Sequence, residues 1–233
     1  MENLETRPIG KPKEKNDFYD LAEQIQDITV KNSKSGVNEL EKENHTVWLE
    51  KKSFRITLIS TFTALAIVLG YLLVYIPNIE LFTLTIFLSG FILGKRDGMI
   101  VGFLSSLIFC FFNPIGASPL PLLAFQLTHY SLTGLLGALT NNFLNKRSFF
   151  TFDEDLYIFP VMIIFGVLGT MITISFQLFS SLVDVLLYFG TIEEFLPYFI
   201  TGFPFTIIHI VGNTLGFIFI LPGLIYLVHN MIY

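Results

Sequence analysis

Residues 54–76 read FRITLISTFTALAIVLGYLLVYI, and Arg55 is the only charged residue among them. An α-helix needs about 20 apolar residues to cross the ~30 Å hydrocarbon core of a bilayer. The stretch is long enough and apolar enough to do so, and it ends at Pro77, where a helix is readily broken. It therefore predicts the first membrane span of the chain.

Five further apolar segments follow toward the C-terminus. Together with the first they predict an all-α, polytopic membrane protein, in which residues 54–233 form a bundle of six transmembrane helices. The second and third segments are the shortest, and the alternative for this pair is a hairpin that does not fully span the membrane. The six predicted segments are 54–76, 81–94, 99–112, 121–144, 157–189 and 198–229.

Charge is distributed very unevenly between the two parts of the chain. Residues 1–53 contain nine Lys or Arg and 11 Asp or Glu, whereas the remaining 180 residues contain only five and eight. Soluble domains carry about 25% charged residues, so an ordinary water-soluble domain is excluded for residues 54–233. The net charge of −5 and the lack of a basic patch there also argue against a nucleic-acid partner. Residues 1–53 are predicted to be a polar, partly disordered cytoplasmic extension.

The positions of the basic residues indicate the orientation in the membrane. With six spans, all five basic residues after position 53 fall on the same side, which the positive-inside rule assigns to the cytoplasm. The connections on the other side contain Glu80, Glu193 and Glu194 and no Lys or Arg. The sequence thus predicts a multi-pass protein of the cell membrane with both termini in the cytoplasm. The five basic residues are Arg55, Lys95, Arg96, Lys146 and Arg147.

Polar side chains within membrane spans are costly and therefore point to function. They concentrate in the outer half of the last three segments, which predicts a small-molecule cavity there, capped by the connections at 76–82 and 113–120. The alternatives are hydrogen bonds between helices for the amides, histidines satisfied in the core, and hydration of an acid near the interface. The predicted substrate-binding residues are Glu80, Asn113, Gln126, His129, Gln177, Asp184 and Asn213.

Small residues recur at a spacing of four in the first segment. The pairs Ser60/Ala64 and Ala66/Gly70 form small-xxx-small patterns, which let another helix approach closely. These four residues are predicted to contact a partner protein, and packing within the bundle is the alternative.

Signals for catalysis are weak. The sequence lacks a zinc-binding His-Glu-x-x-His helix, a Gly-x-Ser-x-Gly elbow and a phosphate-binding loop, and its one cysteine, Cys110, cannot form an internal disulfide. No enzymatic activity, metal site or cofactor is therefore predicted. Glu193 and Glu194 followed by His209 are similar to the motif of glutamate-dependent intramembrane proteases, but that motif expects an arginine where Tyr198 stands.

The order of several short motifs resembles the S components, which are the substrate-binding membrane subunits of energy-coupling factor (ECF) transporters. The resemblance covers residues 54–230. The motifs are LTIFLSGFILGKRDG at 84–98, GFLSS at 102–106, FNPIG at 112–116, PLP at 119–121, GFPF at 202–205 and GNT at 212–214.

This resemblance implies a subunit that binds a vitamin or related micronutrient from the outside. A transmembrane T component and ABC-type ATPases would supply the energy, and the T component would contact an Ala-x-x-x-Ala face on the first helix. Ser60/Ala64 and Ala66/Gly70 are the nearest equivalents of that face here. The competing interpretation is a non-catalytic membrane scaffold or assembly protein.

Overall fold

The computed structural model describes residues 52–76, 79–113, 116–147, 150 and 156–232, and these ranges contain helices and connections but no strand. The polar extension predicted for residues 1–53 lies, except for its last two residues, outside the described part of the chain. The α-helices are α1 (Lys52–Leu73), α2 (Phe82–Leu93), α3 (Lys95–Phe111), α4 (Leu120–Leu144), α5 (Phe159–Tyr188), α6 (Phe195–Leu215) and α7 (Leu221–Ile232).

Each predicted apolar segment coincides with a helix, and the sixth coincides with α6 and α7. A π-helical segment, Gly216–Ile220, joins these two helices without a break, and a short 3-10 helix, Ile192–Glu194, precedes α6. The all-helical prediction is therefore confirmed for the described residues.

Four helical stretches in the described ranges are long and apolar enough to cross a membrane: α1, α4, α5 and the continuous stretch Ile192–Ile232. They indicate a membrane-embedded protein. Helix α2 has only 12 residues, which is about 18 Å, and α3 has 17. The count of six membrane-spanning helices is therefore not confirmed by helix length.

Helix α2 occupies the centre of the bundle. Every residue from Phe82 to Ile92 is buried, because α1, α3, α4 and α7 pack around it. A helix that is apolar on all sides is the type expected in such a fully enclosed position.

Glycines allow α2, α3 and α4 to approach one another at backbone distance. A Cβ atom built on Gly90 would collide with the carbonyl oxygen of Gly134, and one built on Gly134 would collide with the carbonyl oxygen of Gly98. Three further glycines face the backbone of a neighbouring helix in the same way. They are Gly98, which faces Gly90, Gly102, which faces Tyr130, and Gly137, which faces Phe87.

Polar contacts hold several helix ends together at one end of the bundle. Arg55 at the start of α1 donates two hydrogen bonds to the buried carboxylate of Asp97 in α3, at 2.7 and 2.9 Å. In the last turns of α4 and α2, the Asn141 amide donates to the carbonyl of Phe91. We call the end that these four residues mark the basic end, since Lys95, Arg96, Lys146 and Arg147 also lie in this region.

The four small residues predicted to contact a partner separate into two faces of α1. Ala66 and Gly70 are buried, and Gly70 packs against Phe109, so this pair makes contacts within the bundle. Ser60 and Ala64 are exposed, and a partner contact there stays a prediction.

Candidate functional site

A carboxylate lies inside the bundle where α1 connects to α2. Glu80 accepts hydrogen bonds from His209 Nε2 at 3.2 Å and from Asn213 Nδ2 at 3.4 Å, and also from the hydroxyl of Thr83. Asn213 Nδ2 also donates to Thr173 Oγ1 at 3.0 Å. These five residues, which we call the Glu80 cluster, connect the start of α2 to α5 and α6.

The depth of Glu80 differs from the sequence-based expectation that it lies at the outer rim. Its partner His209 follows Phe195, the first residue of α6, by 14 residues, which is about 21 Å of helix. The reason is that α2 is short and begins inside the bundle, at the buried residue Phe82. The connection that leads into α2, which contains Glu80, therefore also lies inside the bundle. The side chains of Glu80 and His209 are 19% and 8% exposed.

Hydrogen bonds determine the charge of Glu80. Burial by itself raises the pKa of this carboxyl, but the hydrogen bond and charge of His209 and the hydrogen bonds from Thr83 and Asn213 outweigh burial, so the pKa lies below its ordinary value. Glu80 is therefore ionised at neutral pH, and the His209 nitrogen that faces it carries a proton.

Aromatic rings pack beside the Glu80 cluster. The Phe176 ring of α5 lies 5.2 Å from the His129 ring and 6.2 Å from the His209 ring, measured between centroids. Tyr130 lies 5.7 Å from Phe176 and meets Phe82 edge-on at 4.9 Å. Residues of α2, α4, α5 and α6 thus share one aromatic environment.

Three buried polar atoms in this region have no hydrogen-bond partner within the described part of the chain. They are Gln126 Oε1, His129 Nε2 and His209 Nδ1. Leaving such an atom unpaired costs about 1–3 kcal/mol, so a folded protein usually avoids it. His129 also lies within electrostatic range of Glu80 and His209, and Gln126 precedes it by one turn of α4.

A cavity of about 150 Å³ opens onto the Glu80 cluster. Glu80 and His209 supply its polar lining, and Gly70, Ile79 and Phe109 belong to its walls. Ligand sites usually enclose about 300–1,000 Å³, so this space admits one small ring or group.

A larger groove of about 590 Å³ lies between the end of α5 and the start of α6. Gln177 and Asp184 line it from α5, and Tyr198 and Thr206 line it from α6. Tyr198 donates a hydrogen bond to Asp184 at 3.3 Å, and Gln177 contacts Thr206 at 3.5 Å. Together with the pair Thr173 and Asn213, these contacts form a polar seam along the two antiparallel helices.

The structure divides the predicted substrate-binding residues between these two places. Glu80 and Asn213 belong to the Glu80 cluster, with His129 beside it and Gln126 one turn before His129 on α4, whereas Gln177 and Asp184 line the groove. Asn113 follows α3. It is not among the described residues that line the cavity or the groove.

Sequence reasoning missed His209 and the hydroxyl groups as site residues. His209 stands four residues before Asn213 on one helix face, which was a usable signal. Thr83 and Thr173 gave none, because threonine is common in apolar helices and bonds to its own backbone, as Thr173 does to the carbonyl of Gly169.

The arrangement required for a glutamate-dependent protease is not formed in the described residues. Glu193 and Glu194 are exposed in the turn before α6, whereas His209 is buried and paired with Glu80. The described residues also contain no group of three or more His, Cys, Asp or Glu side chains placed to hold a metal ion.

Comparisons of the chain with models of protein families, with curated proteins and with solved structures find no match. The functional argument therefore depends on the geometry of the Glu80 cluster and the groove.

Proposed function

We propose that this chain is a substrate-binding transmembrane subunit, similar to the S components of ECF-type importers, that takes up a vitamin or related micronutrient from outside the cell. A T component and ABC-type ATPases would be its partners. The chain itself would bind the solute and perform no chemistry on it.

One observation carries the proposal. An ionised glutamate and two unpartnered histidine nitrogens lie close together in a bundle whose buried interior is mainly apolar, and the unpartnered Gln126 Oε1 lies one turn before His129 on α4. Polar groups cost so much in a membrane protein that they are retained mainly where a solute or ion uses them. Their aromatic surroundings are typical of sites for small organic molecules.

The proposed topology has six helices, with both termini in the cytoplasm. In its support, the contacts of Arg55 with Asp97 and of Asn141 with Phe91 place the start of α1, the α2–α3 turn and the end of α4 at the same end. The basic residues gather there, as expected for the cytoplasmic side. The groove would then face outward, although α2 is too short to cross the membrane alone.

Mass spectrometry of the purified full chain tests the proposal. We expect a small organic solute to co-purify in mild detergent and to be lost, at unchanged yield of folded protein, from His129→Phe. Exposed Asn142 on the same helix provides a control, Asn142→Ala, which should retain the solute. A preparation without any bound solute, together with no heat of binding on titration with candidate micronutrients, would favour the scaffold interpretation.

A further inference from the structure

We infer that the solute is a small organic cation that donates N–H hydrogen bonds, held by Glu80 and the unpartnered atoms around it. This inference rests on the proposed function and adds the chemical class of the ligand. The Glu80 cluster, its cavity and the groove carry the argument.

The first step concerns the hydrogen atoms of the cluster. Glu80 is a carboxylate, so His209 Nε2 must donate the hydrogen in their 3.2 Å contact. The other ring nitrogen, Nδ1, is buried without a partner. Gln126 Oε1 is an unpartnered acceptor. A ligand that complements this oxygen and the Glu80 carboxylate must offer donors.

The second step concerns net charge. Glu80 is the one carboxylate of the cluster, and neither the cavity nor the groove has a lysine or arginine among its described lining residues. Asp184 and Glu194 line the groove and add negative charge there. A site of one charge sign, enclosed by apolar walls, concentrates ligands of the opposite sign.

The third step concerns the aromatic rings that pack beside the cluster. The rings of Phe176, Tyr130 and Phe82 lie close to the two histidines or to one another. Aromatic faces attract cations, by about 2 kcal/mol or more where water is excluded. A divalent metal ion fits less well, because the described residues provide no group of three or more suitable side chains.

Three probes of nearly equal shape test the inference: benzamidinium, benzamide and benzoate, which are cationic, neutral and anionic. Each is titrated into the ligand-free full chain in phosphatidylcholine nanodiscs, which carry no net charge, and binding is followed by calorimetry. We expect benzamidinium to bind at least tenfold more tightly than benzamide, and benzoate to bind most weakly.

Two variants localise the selectivity. Glu80→Gln should reduce the preference for benzamidinium over benzamide to less than threefold. Glu193→Gln removes an exposed carboxylate outside the site and should leave the preference unchanged. The measurement on the unaltered protein decides the sign of the selectivity even if Glu80→Gln does not fold.

The outcomes separate this inference from the proposed function. Equal or stronger binding of benzamide or benzoate, or an uncharged or anionic solute in the co-purified material, would overturn the cation while leaving a solute-binding subunit in place. Failure of all three probes to bind, together with no co-purified solute, would overturn both.

Discussion

The α2–α3–α4 side of the bundle and the α5–α6 side use their space in opposite ways. On the first side, glycines such as Gly90 and Gly134 bring backbones into direct contact, and the enclosed helix α2 is buried from Phe82 to Ile92. On the second side, a seam of polar pairs joins α5 and α6, and an open groove lies between them. The first side is therefore closely packed, whereas the larger groove lies within the second side, and the unpartnered histidine nitrogens lie around Phe176, where α4 meets α5 and α6.

The largest expected effect comes from filling the glycine contacts. Gly134→Ala places a methyl group on the carbonyl oxygen of Gly98, so we expect a loss of about 3 kcal/mol or more in the free energy of unfolding. Gly202 on α6 has nothing within 4 Å of its Cβ position, and Gly202→Ala should change stability by less than about 1 kcal/mol. Denaturation in mixed micelles measures both, and equal losses would contradict the comparison.

The next largest effect concerns the ion pair between Arg55 and Asp97 at the basic end. Arg55→Ala leaves the Asp97 carboxylate, which is 6% exposed, without its cation. Since Arg55 itself is 47% exposed, we expect a loss of about 2 kcal/mol, less than for a fully buried pair.

Arg96→Ala is the matched control for Arg55→Ala, because Arg96 is an exposed arginine that directly precedes Asp97 in the sequence. Its effect should stay within about 0.5 kcal/mol. The double variant Arg55→Ala with Asp97→Asn should recover part of the loss. A double variant less stable than Arg55→Ala alone would show that Asp97 does not need its partner.

A smaller effect is the contribution of Glu80 to the pH dependence of the free energy of unfolding. The pKa of this carboxyl is lowered in the folded chain, so its contribution to stability is complete above the unfolded value of about 4.3 and is lost as the pH falls through the lower folded value. Glu80→Gln should remove this part of the acid-induced loss of stability. Thermal unfolding of both proteins between pH 7 and pH 3 tests it, and parallel curves over that range would contradict the assignment.

The sequence predicted the helices well because each apolar segment ends at a clear break. The turn at Gly94, between α2 and α3, and the connection after Tyr188, at the end of α5, lie within a few residues of the predicted ends of these helices. It did not predict the depth of Glu80, because that depth depends on how a 12-residue helix is seated among longer ones. The separation of Ala66 and Gly70 from Ser60 and Ala64 likewise depends on the rotation of α1, which its nearly uniform apolar sequence leaves undetermined.

The stability of His129→Phe without ligand tests most directly whether the unpartnered groups serve a solute rather than the fold. Phenylalanine keeps the ring contact with Phe176 and removes the buried nitrogen that has no partner. We predict that the ligand-free variant is as stable as the unaltered chain or more stable, by up to about 1 kcal/mol, while it loses the solute. A variant that is less stable by 1 kcal/mol or more, and that retains the solute, would contradict the account.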